Sequence, residues 1–400
     1  MDFSDTPQEA DYRARAQAFL DAHAIDLPSL SGTEDERLER QRKWQAIKAG
    51  NGFACITWAP EWGGAGGTAL EAVIFREEEA RRGVPDAFFG IGLGLCVPTI
   101  IRYATDAQKE SLVARAVRGE QIWCQLFSEP AAGSDLAGVR ARAVQDGDDW
   151  VINGQKVWTS GAHYADYGLI IARSDPDQPK HKGLTMFFVK MDSPGIEVRP
   201  IHQMSGGMEF NEVFFNDVRI PDEQRLGEVG EGWKVAIFAL MNERVQGGKE
   251  RGVPAAETIA LARRTPTGDA TLADDGSFRA AFADWYVRTR GVQLTRYRTL
   301  TAMSRGQTPG PEASIGKLVT AFELQEMSRL LVEAQGPYGL VDDPALSMLQ
   351  AEVHHDLLHA PGIRIAGGTD EILRNIIAER VLGLPKGPQP DKGTAFSETR

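Results

Sequence analysis

The residues best suited to bind a flat heterocycle lie between positions 126 and 161. This segment opens with a loop of small and hydroxyl-bearing residues, Ser128-Glu129-Pro130-Ala131-Ala132-Gly133-Ser134-Asp135, and ends in Trp158-Thr159-Ser160. Small side chains leave the backbone N–H groups of such a loop open to an anionic or heterocyclic ligand. Trp158 and Ser160 are two positions apart, so on a strand they lie on one face. A flat ring can then stack on the indole while its edge bonds the hydroxyl.

A hairpin is expected to bring these two side chains to the ligand. Asn153-Gly154 stands between two short apolar runs. This dipeptide favours a type I′ turn, because both of its residues tolerate positive φ. The alternative is an edge hairpin that carries an ordinary core tryptophan.

The loop and the Trp-Thr-Ser run resemble two motifs of the acyl-CoA dehydrogenase family, and the resemblance extends over nearly the whole chain. In that family a Thr/Ser-Glu-Pro-x-x-Gly-Ser-Asp loop and a hairpin ending in Trp-x-Thr/Ser form the wall that binds the isoalloxazine ring of FAD. The resemblance therefore implies FAD as the cofactor. It assigns FAD contacts to Leu126, Phe127, Ser128, Gly133, Ser134, Trp158, Thr159 and Ser160, and a substrate contact to Ser134.

The order of patterns along the chain predicts a mixed α and β fold. Helical spacing dominates residues 1–120, short β-branched and aromatic runs dominate 121–228, and helical spacing returns over 229–385. The resemblance implies an N-terminal α-helical domain, a central antiparallel β-domain and a C-terminal four-helix bundle, with FAD between the last two. Residues 386–400 are rich in Pro, Gly, Lys and Ser, and we predict a disordered tail there.

Composition excludes several classes of protein. A net charge of −12 disfavours nonspecific nucleic-acid binding, although coenzyme A needs only local positive charge. No apolar run approaches the roughly 20 residues that span a membrane. Three cysteines and an acidic start without an apolar segment predict a cytoplasmic protein, most simply one of the bacterial cytosol. No metal site is predicted, because His355 and His359 have no evident third ligand.

The expected chemistry needs a base that removes the α-proton of a thioester. The family commonly takes it from a Tyr-Glu-Gly-Thr segment, which here is Ala366-Gly367-Gly368-Thr369, so Gly367 stands where the glutamate would be. A second branch, with the isovaleryl- and long-chain types, carries its glutamate on the first helix after the β-domain. Glu243-Arg244 matches that place.

Glu243 is therefore the predicted catalytic base. Ala236, Leu240 and Glu243 fall on one helical stripe, and partial desolvation there raises the pKa of a carboxylate toward that of a working base. The alternative is a solvated helix glutamate. Arg244 is expected to neutralise part of the substrate near its pantetheine or phosphate.

The resemblance keeps a role for the glycine segment. Gly367 retains a backbone N–H that can polarise the thioester carbonyl, so we predict it as a substrate contact. Gly368, Thr369 and Glu371 match the turn that contacts the flavin in the family. A missing side chain at Gly367 also widens the pocket, which favours a branched or bulky acyl group.

Further FAD contacts come from the partner subunit in the family's dimer. Arg263 matches the arginine that pairs with the FAD pyrophosphate, and Thr265 matches a nearby hydroxyl, with Arg264 as the alternative arginine. The resemblance also implies an FAD contact for Gly336. The segment around it departs from the family, because Glu333 and Pro337 stand in place of the family's Gln and Gly. Gln335 is the alternative contact there.

These observations predict an FAD-dependent acyl-CoA dehydrogenase that forms a trans-2,3-enoyl-CoA. Its expected partners are the acyl-CoA substrate, an electron-transferring flavoprotein as acceptor, and a second copy in a homodimer or homotetramer, with a hetero-oligomer as the alternative. Two rival functions remain open. One is a flavin monooxygenase or oxidase on the same scaffold, and the other is a non-catalytic subunit that pairs with an active homologue.

Overall fold

A computed structural model of the chain describes residues 5–24, 32–84, 88–245, 252–304, 310–341, 343, 346–347, 352–388 and 393–399. The chain divides into two compact units. The first comprises Met1–Ile201, Glu209–Glu243 and Gln389–Arg400, and the second comprises His202–Met208 and Arg244–Pro388. The order of helices, a mainly antiparallel sheet and further helices confirms the predicted fold class. The three domain boundaries stay a prediction.

Threonines fix the starts of four helices in the first unit. Thr6, Thr33, Thr68 and Thr105 each accept a hydrogen bond from the backbone three residues on, where a Glu or Gln side chain returns the bond. Such a reciprocal box satisfies backbone N–H groups that otherwise lack a partner at a helix start. The helices of this region are α1 (Pro7–His23), α2 (Glu34–Gly50), α3 (Ala69–Arg81), α4 (Val97–Tyr103) and α5 (Asp106–Val117).

The strands of the first unit form one eight-stranded sheet with the order β6-β7-β3-β2-β4-β5-β8, and β1 pairs with β4. Leu169 and Ile171 of β4 pack with the N-terminal helices, whereas Ile170 and Ala172 pack in a second core. Burial on both faces explains why residues 168–172 of this strand are all apolar. The strands are β1 (Trp123–Leu126), β2 (Arg142–Asp146), β3 (Asp149–Ser160), β4 (Tyr167–Arg173), β5 (Leu184–Lys190), β6 (Ile196–Pro200), β7 (Phe210–Pro221) and β8 (Arg225–Leu226).

The predicted turn at Asn153-Gly154 is wrong. Both residues lie inside the continuous strand β3, and the hairpin turns instead between β2 and β3, where Gly147 has a φ of 65°. Gly154 marks a shift in the pairing of β3 with β7, and a Cβ there would lie 2.7 Å from the Cα of Ala141. The glycine therefore serves a β-bulge and a close backbone approach.

The predicted disorder of the C-terminal tail is wrong for residues 393–399. Ala395 forms a β-bridge with Pro179. The guanidinium of Arg173 lies over the ring of Phe396, with its Cζ 3.9 Å from the ring centroid. Composition pointed to disorder, but a bridge and an aromatic contact hold the segment against the β-domain.

The second unit is helical and contains a small hairpin. Its core includes Leu261, Phe278, Met327 and Leu331. Among the described residues, no helix has the length and apolar character needed to cross a membrane. After α6 (Gly232–Val245), which begins in the first unit, come α7 (Ala255–Ala262), β9 (Pro266–Thr267), β10 (Ala270–Thr271), α8 (Gly276–Ser304), α9 (Ser314–Ala334), α10 (Glu352–Ile365) and α11 (Asp370–Ile376).

Candidate active site

The 128–135 loop is closed by the side chain of its own Glu129. Its carboxylate accepts hydrogen bonds from the backbone N–H of Arg140 at 2.6 Å and of Ala141 at 3.0 Å. The carboxylate thus ties the loop to the segment that leads into β2. A buried carboxylate that accepts backbone N–H bonds holds a turn in one conformation.

A buried lysine completes the network beneath the loop. Lys156 Nζ lies 2.7 Å from Glu129 Oε1, and it donates to the carbonyls of Phe127 at 3.1 Å and Ile171 at 2.7 Å. Burial lowers the pKa of Lys156, and the neighbouring carboxylate opposes that shift. Because an ammonium has three N–H donors, all three are satisfied. The loop and three strands are therefore joined at one cation.

A second buried cation fixes the chain beyond the loop. Arg173 donates to the carbonyls of Ala137 at 2.5 Å, Val139 at 3.3 Å and Lys180 at 2.8 Å. Burial lowers the pKa of Arg173 to about 10. Lys180 pairs in turn with Asp135, the last residue of the loop, at 2.8 Å. Lys156 of β3 thus holds the loop at Glu129, and Lys180, between β4 and β5, holds it at Asp135.

Trp158 lies at a strained point of β3. Its φ is +60°, which is uncommon for a bulky residue, and the pairing of β3 with β7 shifts at the same place. The indole is 60% exposed, whereas Thr159 is buried and Ser160 is half-buried. Val157 N–H donates to the carbonyl of Ser128 at 2.9 Å and so joins the strand to the loop. The backbone of Trp158 is thus strained and its indole is exposed. Both features agree with the predicted contact between Trp158 and the flavin ring.

The other residues predicted at this wall differ in exposure. Leu126 and Phe127 are buried, so only their backbone groups can face a ligand, whereas Gly133 and Ser134 are exposed. A Cβ at Gly133 would meet no atom within 4 Å. The contacts of these residues with FAD stay predictions.

Helix α6 carries the predicted base. Ala236 and Ala239 are fully buried, and Leu240 packs against the same core. The backbone of Glu243 and Arg244 extends the helix, but their side chains lie outside the described part of the chain. Their roles stay predictions.

Gly367 and Gly368 form the turn between α10 and α11, with φ values of 61° and 97°. Two successive residues at positive φ require glycine, because other side chains rarely adopt this conformation. The Thr369 hydroxyl accepts a hydrogen bond from Ile372 N–H at 3.2 Å and caps α11, while Glu371 is exposed in the first turn of that helix. The turn itself thus offers backbone groups to a ligand.

Two cations hold the glycine turn, residues 366–369. Lys317 Nζ donates to the carbonyls of Arg364 at 3.1 Å and Gly368 at 2.6 Å. Arg364 pairs with Asp370 through Nε at 2.8 Å and Nη2 at 2.7 Å. Burial lowers the pKa of Lys317, and the Asp370 carboxylate partly opposes that shift. The turn is therefore fixed by side chains on both sides of it.

Arg263 lines a cavity of about 490 Å³ within the second unit, together with Arg279. Two guanidinium groups at one cavity provide the donors that a phosphate or pyrophosphate binds. Arg264 is not among the lining residues, and its Nε donates to the carbonyl of Ala260 in its own helix. This arrangement favours Arg263 over the alternative. Other lining residues are Ile259, Thr271, Ala273, Asp274, Phe278 and Phe282.

The remaining predicted contacts are placed as follows. Thr265 is buried, and its hydroxyl donates to the carbonyl of Leu261 at 3.0 Å. Gly336 is exposed with a φ of 55°. Glu333 forms an ion pair with Arg329 at 2.8 Å, which compensates part of the charge that would repel a pyrophosphate. The roles of Thr265 and Gly336 stay predictions.

The sequence analysis missed Lys156, Arg173, Lys317 and Arg279. A weak signal existed for Lys156, because it precedes Val157 and Trp158 on a predicted strand, and a buried cation needs a partner. Lys317 and Arg279 lie on helices that carry several other charged residues, so their type and spacing carried no comparable signal.

Comparison with known proteins gives a consistent result along the chain. The models of three domains of acyl-CoA dehydrogenase match it: the N-terminal domain over residues 6–120, the middle domain over 124–218 and the C-terminal domain over 230–382. Acyl-CoA dehydrogenase IpdE1 of Mycobacterium tuberculosis is 37% identical over 390 residues, which cover 94% of this chain and 98% of that protein. Acyl-CoA dehydrogenase FadE34 of the same organism is 38% identical over 374 residues, covering 90% of this chain but only 50% of FadE34.

Solved structures agree with these matches. The ChsE4-ChsE5 complex from Mycobacterium tuberculosis has a chain that is 30% identical with a TM-score of 0.80, covering 97% of this chain and 100% of that one. A structure described as the Tcur3481-Tcur3483 steroid ACAD is 26% identical, also with a TM-score of 0.80 and the same coverage.

Proposed function

The chain belongs to the acyl-CoA dehydrogenase family, and from this premise we propose that it oxidises a bulky acyl-CoA to the trans-2,3-enoyl-CoA with Glu243 as the base. The predicted oxidoreductase class and FAD cofactor are confirmed at the level of the family. One observation supports the proposal: Gly367 stands in the sequence where the family motif has a glutamate, which leaves Glu243 as the motif-matched carboxylate.

The protein's own groups divide the work. When bound, FAD supplies the acceptor for the β-hydride. Glu243 removes the α-proton as the general base. Gly367 N–H donates to the thioester carbonyl and stabilises the negative charge that develops on its oxygen. Trp158 presents the face of its indole to the ring, and Arg244 neutralises part of the coenzyme A.

The acyl group is proposed to be branched or to contain rings. Gly367 has no side chain, so the pocket gains the volume that a glutamate would fill. The similar Tcur3481-Tcur3483 structure is described as a steroid ACAD, which supports a ring-bearing acyl group here. Straight-chain esters of coenzyme A would then react more slowly than ring-bearing ones.

A hetero-oligomer fits better than a homo-oligomer as the assembly. The chain resembles a chain of the ChsE4-ChsE5 complex, which has two differently named components. This similarity supports an assembly of two different chains. The cavity lined by Arg263 and Arg279 would then bind the pyrophosphate of an FAD held mainly by the partner. The two assemblies are distinguished by purifying the complex from the source organism and measuring its mass and its subunit composition.

An electron-transferring flavoprotein remains the proposed acceptor, and the cytoplasm remains the proposed location. Cys55, Cys96 and Cys124 form no disulfide in the structure, which agrees with a reducing compartment. Reduction of a purified electron-transferring flavoprotein by the enzyme and its substrate tests the first point, and cell fractionation tests the second.

The proposed function is tested by anaerobic mixing of the FAD-loaded protein with straight, branched and ring-bearing acyl-CoA esters. Bleaching of the flavin by a ring-bearing ester supports it. The variant Glu243→Gln should still bind the ester but reduce the flavin about 10²–10⁴-fold more slowly, because glutamine cannot accept the proton. Glu231→Gln is the matched control, since Glu231 precedes the same helix and forms an ion pair with Lys234 at 3.3 Å.

Several outcomes would contradict the proposal. A near wild-type rate in Glu243→Gln would refute the base. Oxygen consumption by the reduced enzyme, at the rate of substrate oxidation, would instead favour the oxidase or monooxygenase. A chain without FAD that gains activity only with a flavin-loaded homologue would identify the non-catalytic subunit.

A further inference from the structure

The two glycines of the glycine turn have no side chains with which to fix their own conformation. Gly367 and Gly368 both have positive φ, and glycine is the residue with the greatest backbone freedom. The preceding Ala366 is exposed. The position of the Gly367 N–H must therefore be set by groups outside the turn.

Lys317 reaches the turn from α9 and bonds both of its ends. Its Nζ donates to the carbonyl of Arg364, near the end of α10, at 3.1 Å and to that of Gly368 at 2.6 Å. These two acceptors flank the peptide that carries the Gly367 N–H. A single ammonium thus fixes the distance between the helix end and the second glycine.

An ion pair closes the same turn from the other side. Arg364 contacts Asp370, the first residue of α11, at 2.7 Å, and the Asp370 side chain is buried. Arg364 Nη1 also donates to Gln325 Oε1 of α9 at 3.1 Å. Helix α9 therefore supports both flanks of the turn, through Lys317 on one and through Gln325 on the other.

Lys317 occupies its place at an energetic cost. Burial lowers its pKa, and among the described residues no carboxylate oxygen forms an ion pair with its Nζ. An apolar side chain of similar length would avoid that desolvation cost. A residue that works against local stability beside a predicted reaction centre is more consistent with a functional role than with a purely structural one.

We propose that Lys317 is a positioning residue that holds the Gly367 N–H where the thioester carbonyl of the substrate must bind. This inference rests on the proposed function, because it assumes that Gly367 receives that carbonyl. Donors that stabilise a developing oxyanion act only when they are fixed beforehand, and the loss of one such donor costs about 10²–10³-fold in rate. A displacement of about 1 Å has an effect near 10²-fold.

The test compares Lys317→Met, Lys317→Arg and the wild type as FAD-loaded proteins. The first readout is the rate of anaerobic flavin reduction by the best acyl-CoA. The second is the absorption of a bound conjugated enoyl-CoA, which moves to longer wavelength when its carbonyl accepts strong hydrogen bonds. We expect Lys317→Met to keep its FAD and its affinity for the ester, to reduce flavin about 10²-fold more slowly, and to lose most of the wavelength shift.

Two variants serve as references. Lys317→Arg should retain most of the rate and of the shift, because its guanidinium can still donate to two carbonyls. Arg290→Met removes a long cationic side chain from α8, where the exposed Arg290 donates to the side chain of Gln293, and it should match the wild type. If Lys317→Met does not fold, Lys317→Gln is measured in the same way, since its amide can bond only one of the carbonyls at a time.

The failure of this inference differs from the failure of the proposed function. Suppose that an acyl-CoA bleaches the flavin of the wild type. If Lys317→Met then reduces flavin at the wild-type rate, with an unchanged wavelength shift of the bound enoyl-CoA, Lys317 does not position the Gly367 N–H. A lower rate with an unchanged shift also overturns the proposal, because the carbonyl would then be polarised as before. If no acyl-CoA bleaches the wild type, the proposed function fails first.

Discussion

Lys156 and Lys317 each donate hydrogen bonds to two backbone carbonyls beside a predicted ligand-binding turn, but within the described residues only Lys156 also contacts a carboxylate. Lys156 is fully buried and lies 2.7 Å from Glu129 Oε1. Lys317 is half-buried, and its carbonyl acceptors carry no net charge. The two turns are thus held by the same chemical group under different electrostatic conditions.

The difference indicates what each turn requires. The 128–135 loop must present a fixed surface to a cofactor that stays bound, and a fully compensated buried ion pair provides rigidity. The glycine turn must receive a carbonyl on which negative charge develops during each reaction. A cation without a contacting carboxylate keeps a positive potential there, which favours that charge.

The largest expected effect comes from breaking the buried pair at the loop. Lys156→Met leaves the Glu129 carboxylate buried without its cation, so the free energy of unfolding should fall by about 3–5 kcal/mol. Chemical denaturation of the protein measures this loss, and FAD content should fall with it. Loss of one partner in a buried pair costs more than loss of both.

The double variant Glu129→Gln with Lys156→Met is the matched control. It removes both charges, so it should recover a large part of the lost stability. If the single variant unfolds at the wild-type denaturant concentration, the pair does not hold the loop. The comparison with Lys317 would then lose its basis.

Sequence reasoning reached the local features of both regions better than their long-range contacts. The capping boxes of Thr6 with Glu9 and Thr33 with Glu36 are local in this sense, because each depends on a four-residue pattern, although the sequence analysis did not name them. The bond between Glu129 and Lys156 joins residues 27 positions apart, and no local pattern specifies it. Asn153-Gly154 misled because a bulge and a turn both need glycine at positive φ.

Other parts of the site show the same limit. The lack of a glutamate at position 367 was visible as a departure from one family motif. The alternative base Glu243 was visible as a match to another. The support that Lys317 gives the turn was not visible, because α9 and the turn are distant in sequence. The contact between Arg173 and Phe396 depends on a segment whose composition favours disorder.

A smaller effect is expected from the contact between the C-terminal segment and Arg173, which holds the chain beyond the 128–135 loop. Phe396→Ala removes the ring that lies under Arg173, and a desolvated cation–π contact is worth about 2 kcal/mol. Arg173 should then hold the carbonyls after the loop less firmly, so the dissociation constant of FAD should rise several-fold while flavin reduction in the saturated enzyme stays nearly unchanged. Equilibrium titration of the apoprotein with FAD measures this.

Ser397→Ala is the control for that change, because it alters the same segment without touching Arg173. Its FAD affinity should equal that of the wild type. An equal loss in both variants would mean that the segment acts through its backbone pairing alone, and no loss in Phe396→Ala would show that Arg173 needs no ring.

The smallest and most selective effect concerns pH. Burial lowers the pKa of Lys317 below its ordinary value of 10.5, so the folded protein loses this proton at a pH where the unfolded chain still holds it. Between these two pKa values the unfolded chain binds more protons, and the contribution of Lys317 to the free energy of unfolding therefore rises with pH. The neutral amine forms weaker bonds to the two carbonyls, so flavin reduction should decline in the same range.

Activity and stability should thus respond to Lys317 in opposite directions, which separates this effect from alkaline unfolding. Lys317→Arg should lack the additional decline, because a guanidinium keeps its charge throughout. The measurement is the rate of flavin reduction from pH 7 to 11 in both proteins, since ionisation of the flavin and of Lys156 affects both alike. Asp370, Glu371 and Arg364 also act on Lys317 and are the same in both. If the rates of flavin reduction of the two proteins decline over the same alkaline pH range, the charge on Lys317 does not matter to the turn. The difference between Lys156 and Lys317 would then be one of packing alone.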